Sequence, residues 1–252
     1  MNDARVKRRY KNPPIEEALV EVRFAPADEW DLTIPGKLHE HRDIKKEYQG
    51  KPRTQKVFEA ALQAGPGQPP NLAIHEGVGR IQLINEAGNR LISLGPGVLS
   101  VNMLRPYDGW GLFRPRIETA LRAYNEVAAP TGVTRLGVRY INKIVSPREK
   151  DPMDYFTCGP PRAPGLPRKM AGFMSRVEFV YDDGVKLLLT QASIDAPEDQ
   201  SAFLLDLDLI WESAEARNLD EIMAVIDGLH EREGAAFEAI ITDAAREMFD
   251  AG

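Results

Sequence analysis

The stretch FLLDLDLIW at residues 203–211 constrains this chain more than any other. On an extended backbone Phe203, Leu205, Leu207 and Leu209 fall on one side, while Asp206 and Asp208 fall on the other. Helical side chains recur every 3.6 residues, so a period of two can bury its apolar set only as a strand with one covered face. Residues 133–145 carry the same alternation further. Leu136, Val138, Tyr140 and Ile144 make one face, and Arg135, Arg139 and Lys143 make the other, with Gly137 and Ile141 between them. Two such strands need a sheet whose second face tolerates charge, which favours antiparallel pairing.

Other segments join this sheet or cover it. Residues 18–24 alternate after Pro13-Pro14, with Val20, Val22 and Phe24 opposed to Leu19, Glu21 and Arg23. Further β-like runs occupy 71–75, 79–85, 90–94, 98–104, 175–181 and 185–192, with turns at Glu86-Ala87-Gly88-Asn89, Gly95-Pro96-Gly97 and Asp182-Asp183-Gly184. Residues 53–64 fit either a second short helix or an irregular strand. Helical spacing appears in three places. Leu38, Ile44, Glu47 and Tyr48 suggest a short amphipathic helix stopped by Gly50. Residues 109–127 place Phe113, Ile117, Leu121 and Tyr124 on one face, with Pro115 read as part of the first turn. Residues 218–249 read as one long helix, with Asn218 as N-cap and Asp220 and Glu221 in its first turn. Its buried stripe is Leu219, Ile222, Ile226, Leu229, Phe237, Ile240, Ile241 and Met248, and Gly228 and Gly234 are its candidate bends. Gly- and Pro-rich stretches at 65–70 and 159–167 read as surface loops.

The expected fold class is therefore α+β, with one or two antiparallel sheets covered by helices. Residues 1–128 and 129–252 each run strand, short helix or loop, three or four strands, then helix. The halves share this pattern without sequence identity, and either complete one sheet or set two sheets side by side.

Composition removes several function classes. Hydrophobic residues at 43% and charged residues at 28% suit a chain with a real core. A net charge of -6 argues against nucleic acid as a partner, since phosphate binding usually requires a basic excess. Cys158 has no second cysteine to bridge with, and one cysteine with four histidines argues against a structural zinc site. The basic start MNDARVKRRYKNPP is followed by no apolar run, and nowhere do eighteen apolar residues stand together, so the expectation is a cytoplasmic protein with no membrane partner. No P-loop, dinucleotide fingerprint or nucleophile elbow is present, and no cofactor is expected.

The segments YKNPPIEEALVEVRF, LGPGVLSVN with PYDGWGLFRPRIETAL, RLGVRYINKI, LLDLDLIW and IDGLHEREGAAFEAIITDAAREMF follow in that order along nearly the whole chain. Together they resemble a sporadically distributed bacterial family of unknown function. The resemblance implies a single architecture of about this length. It also implies the patchy distribution of accessory genes, such as those of defence systems or two-gene modules with a partner protein.

The candidate chemistry lies on the polar faces of the strands. Glu21 and Arg23, Arg135, Arg139 and Lys143, Arg176 and Glu178, and Asp206 and Asp208 would form a ladder of alternating charge if their strands are neighbours. The bland reading is a solvated face with cross-strand ion pairs, each worth roughly 0.2–1 kcal/mol, and it is the favoured one. The functional reading is a charged groove or tunnel that binds an anion. It is similar to the tunnels of polyphosphate-handling enzymes, whose first strand alternates glutamates with a lysine to hold metal and phosphate. Here Leu19 stands where the second glutamate belongs, so Mg²⁺ or Mn²⁺ would depend on Glu21, Glu178, Asp206 or Asp208. Arg139 has Glu21 or Asp208 as its expected partner, or grips a carboxylate or phosphate with both arms. Asn142 shares the apolar face, where a structural hydrogen bond is favoured over a ligand contact. Trp110, Arg114 and Arg116 at a helix start offer an anion site, against the plainer reading that the tryptophan seats the helix. His39 and His41 point apart on a helix, and His230 is expected to face solvent or to cap. The preferred expectation is a non-enzymatic protein that holds a partner protein or a small anionic ligand on its charged sheet face. The alternative is a metal-dependent phosphate-handling enzyme.

Overall fold

The computed structural model describes residues 8–25, 30–63, 71–147, 151–159, 163–167, 170–212 and 218–250. Among the described residues nine strands run in the order β1 (Ile15–Phe24), β2 (Arg53–Gln63), β3 (Asn71–Ile84), β4 (Arg90–Gly95), β5 (Val98–Leu104), β6 (Val133–Pro147), β7 (Met174–Val180), β8 (Lys186–Ile194) and β9 (Gln200–Glu212). Two short helices, α1 (Ile34–Glu40) and α2 (Arg42–Lys45), follow β1, and α3 (Trp110–Ala128) follows β5. After β9 come α4 (Leu219–Ile240) and α5 (Asp243–Asp250).

All nine strands form one antiparallel sheet in the spatial order β2-β3-β4-β5-β1-β6-β9-β8-β7. Residues 15–128 supply one side of it and residues 133–250 the other, joined through β1 and β6. Each side starts at the centre, crosses to its far edge and returns as a meander, so β5 lands on β1 and β9 lands on β6. The central register sets Val20 opposite Val101 and Val138, and Val138 opposite Leu209. All four are buried in a continuous apolar row beneath the helices. The segment at 53–63 is a strand, and the two runs at 71–75 and 79–85 are one strand of 14 residues. The loop read at 65–70, the N-terminal seven residues and positions 160–162 of the proline-rich stretch lie outside the described residues.

Helix α3 buries Phe113, Ile117, Leu121 and Tyr124, the predicted face. Burial of each such side chain stabilises by about 1.5–3 kcal/mol. Pro115 lies inside the helix and not in its first turn, so the Gly111 carbonyl loses its i+4 backbone donor. Asn218 caps α4 as expected, its side chain accepting from the Glu221 amide at 3.0 Å. The single long helix at 218–249 is interrupted, however, and neither glycine is the cause. Ile241 is extended and bridges Phe156, the Thr157 amide donates to Ile240 O at 2.7 Å, and the Thr242 amide donates to Tyr155 O at 3.0 Å. Residues 155–157 thus take backbone groups that would have continued the helix.

Candidate functional site

The helices cover one face of the sheet and leave the other to polar side chains. In its central rows Glu21 stands opposite Ser100 and Gly137, and Arg139 stands opposite Leu19 and Asp208. This uncovered face is not the wetted surface that the alternation suggested. Side-chain exposure is 13% for Glu21, 18% for Arg135, 22% for Arg80 and 10% for Asp206.

Curvature explains this burial. Arg80 on β3 donates to Glu21 Oε2 on β1 at 3.0 Å, with β4 and β5 between them. Three strand spacings on a flat sheet are about 14 Å, near the joint limit of the two side chains. Side chains stand roughly perpendicular to their sheet, so a 3.0 Å contact across that span means that the sheet curls with this face inside. Arg135 reaches the same carboxylate, donating to Oε1 at 2.9 Å, and Arg23 Nε donates to Oε1 at 2.8 Å. Gly137 leaves the path open for Arg135, since a Cβ there would stand 3.2 Å from the guanidinium.

Two other carboxylates complete the centre. Arg139 donates from Nε to Asp206 Oδ1 at 2.8 Å and from Nη2 to Oδ2 at 2.7 Å. Its partner is therefore Asp206, and not Glu21 or Asp208 as expected. Asp208 lies 3.7 Å from Arg135 Nη2. Burial works to raise the Glu21 carboxyl, but the Arg23 hydrogen bond and the charges of Arg80 and Arg23 outweigh it and hold the group below its ordinary pKa. Asp208 moves the other way: burial raises its pKa more than Arg135 and Arg139 lower it, and Asp206 and Glu21 add to the rise. Among the described residues no group of three histidine, cysteine, aspartate or glutamate side chains stands close enough to hold a metal ion.

The remaining predicted residues serve the fold or lie elsewhere. Asn142 is buried and donates from Nδ2 to Leu205 O at 3.2 Å, the structural reading. Lys143 lies on the charged face, and its amide donates to Pro14 O at 2.8 Å. Arg176 and Glu178 are exposed on β7, at the sheet's margin. The helix-start anion site does not assemble. Arg114 is clamped by Asp227 on α4, at 2.9 Å from Nε and 2.9 Å from Nη2, while Arg116 Nε turns to Glu47 at 2.6 Å.

Trp110 stacks on His230 with ring centroids 3.9 Å apart, so His230 does not face solvent as predicted. Tyr140 joins this cluster, its hydroxyl 3.1 Å from His230 Nδ1 and 2.9 Å from the Tyr107 hydroxyl. One turn further along α4 lies Glu233, which the sequence reading passed over. Only 5% of it is exposed, and burial pushes its pKa up to about 8. Burial also raises Tyr140, and the charges of Tyr107 and Glu233 add to that rise. Its position three residues after His230, in line with Ile226 and Leu229, was the available signal. A separate apolar recess of about 330 Å³, lined by Trp30, Pro35, His39, Ile81 and Leu94 among others, opens beside α1.

No helix among the described residues is long and apolar enough to cross a membrane. Compared with protein-family models and with curated proteins, the chain matches none.

Proposed function

We propose that the chain is a binding protein whose curled sheet face holds a carboxylate or phosphate, carried by a small molecule or by an acidic segment of a partner protein. The observation that supports this reading is the posture of Arg139. Asp206 takes Nε and Nη2, which fixes the plane of the guanidinium, and 39% of the side chain remains exposed. A guanidinium has five N–H donors, so its Nη1 side and the second Nη2 hydrogen stay available for a forked contact with an anion. A pre-oriented guanidinium pays less entropy on binding than a mobile one. The metal-dependent phosphate enzyme is the weaker reading: of the four carboxylates it could use, Glu21 is engaged by three arginines and both oxygens of Asp206 by Arg139, while Glu178 lies at the sheet's margin on β7.

Calorimetric titration with inorganic phosphate and with citrate tests this proposal. Binding should be lost in Arg139→Ala and weakened in Arg139→Lys, which keeps the charge and loses the fork. Equal binding by wild type and a folded Arg139→Ala variant would remove the proposal. So would turnover of a defined substrate that this variant abolishes.

A further inference from the structure

Strand β7 ends the sheet. Its inner edge belongs to β8: the Ser193 amide donates to Phe173 O at 2.9 Å, and the Tyr181 amide donates to Val185 O at 2.8 Å. Antiparallel pairing alternates, so between these contacts Ser175, Val177 and Phe179 direct their backbone groups at β8. Met174, Arg176, Glu178 and Val180 direct theirs outward. Among the described residues no backbone group bonds to that outer edge.

Its side chains are unusual for an edge left to water. Met174 is 79% exposed, Val180 64%, Phe179 49% and Val177 41%. Edge strands are normally protected by proline, lysine or like charges that repel a second strand. β7 has no proline, and its two charges have opposite sign. Arg176 and Glu178 make no ion pair or side-chain hydrogen bond among the described residues, although Glu178 lies near enough to favour the charge on Lys186.

We propose that β7 pairs antiparallel with β7 of a second copy of this chain, about a twofold axis at Val177. Only residues with outward backbone groups can face each other across hydrogen-bonded pairs, which limits the axis to Arg176, Val177 or Glu178 near the strand's centre. An axis at Arg176 sets two arginines face to face, and one at Glu178 sets two glutamates face to face. The axis at Val177 sets Arg176 opposite the second copy's Glu178, and by symmetry does so twice. It also sets Met174 opposite Val180 on the same face. On the helix-covered face it brings the two Val177 side chains together and lays Phe179 over Ser175. The exposed apolar groups and the unpaired charges are thus satisfied by one register, and the two uncovered faces become continuous. This pairing is independent of what the sheet face binds.

Sedimentation velocity of the full chain, across a concentration series, should show a species moving toward twice 28.1 kDa. Arg176→Glu alone and Glu178→Arg alone should each weaken the dimer about tenfold or more, since each turns two attractive pairs into repulsive ones. Mixed together, these two single variants should form a heterodimer, and the double variant should pair with itself again. The substitutions lie on an exposed edge, and far-ultraviolet circular dichroism verifies that each variant is folded. A chain that stays at 28.1 kDa at the highest concentration overturns the proposal. A dimer that both single variants leave unchanged overturns it as well, because the contact then lies elsewhere.

Discussion

Arg139 is clamped by Asp206, although the residue directly opposite it across the β6–β9 pairing is Asp208. Asp206 opposes Ile141, one step along the diagonal. Directly opposed Cβ atoms stand about 5 Å apart, too close for an extended arginine, whereas the diagonal spacing of about 7–8 Å suits it. Asp208 is left with the 3.7 Å approach of Arg135, which already serves Glu21.

Neighbouring aspartates should therefore respond oppositely to the same substitution. Asp206→Asn removes the charge under a half-buried guanidinium and turns one of its two acceptor oxygens into a donor, and should destabilise by about 1–3 kcal/mol in urea unfolding. Asp208→Asn removes a carboxylate whose charge burial opposes, and should leave the midpoint unchanged or raised at pH 7. An Asp208→Asn variant as destabilised as Asp206→Asn would contradict this division.

Gly50 shows a tighter constraint. Its amide donates to Ile84 O at 2.8 Å, and a Cβ there would stand 2.7 Å from that same oxygen. Gly50→Ala must push the turn before β2 away from β3, and should lower stability by about 1–3 kcal/mol. An unchanged melting temperature would show that the turn yields without cost.

The elements that the sequence displays most openly are those whose pattern is complete within themselves. FLLDLDLIW buries its leucines as the period of two requires, and Asn218 caps α4 as its neighbours suggest. What stayed hidden depends on partners distant in the chain. The break at Ile241 is made by backbone bonds to residues 155–157, and its only local mark is Thr242, whose hydroxyl accepts from the Ala245 amide at 3.3 Å at the start of α5. Charge alternation in β1, β6 and β9 shows which residues share a face, but not that the sheet curls until Arg80 reaches Glu21. His230 and Glu233 sit in the polar run HEREG, which reads as a solvent-facing stretch of the long helix until α4 is packed over Tyr140 and Trp110.

That packing makes the Tyr140 hydroxyl a junction. It bonds the Tyr107 hydroxyl at 2.9 Å and His230 Nδ1 at 3.1 Å. Tyr140→Phe withdraws the shared partner from both and should cost about 1–3 kcal/mol in urea unfolding. Trp110 reports the rearrangement, since it stacks on His230. Its emission should shift in Tyr140→Phe while a Trp110→Phe background removes the change; emission that does not move would mean that His230 is held without Tyr140.

Glu233 should govern how stability depends on pH. Its folded-state pKa is raised by burial from 4.5 to about 8, and no described residue donates a hydrogen bond to it. Between those values the folded chain keeps a proton that the unfolded chain has released, so raising the pH favours unfolding. Its contribution is fully present below about pH 4.5 and is lost as the pH rises through about 8. The slope should be on the order of 1 kcal/mol per pH unit across that window. Glu233→Gln keeps the shape and cannot ionise, so the variant should lose this slope and be more stable than wild type at pH 8–9. Urea unfolding of both proteins from pH 5 to 9 measures the difference. Parallel curves would show that the carboxylate finds a compensating partner or water when it ionises.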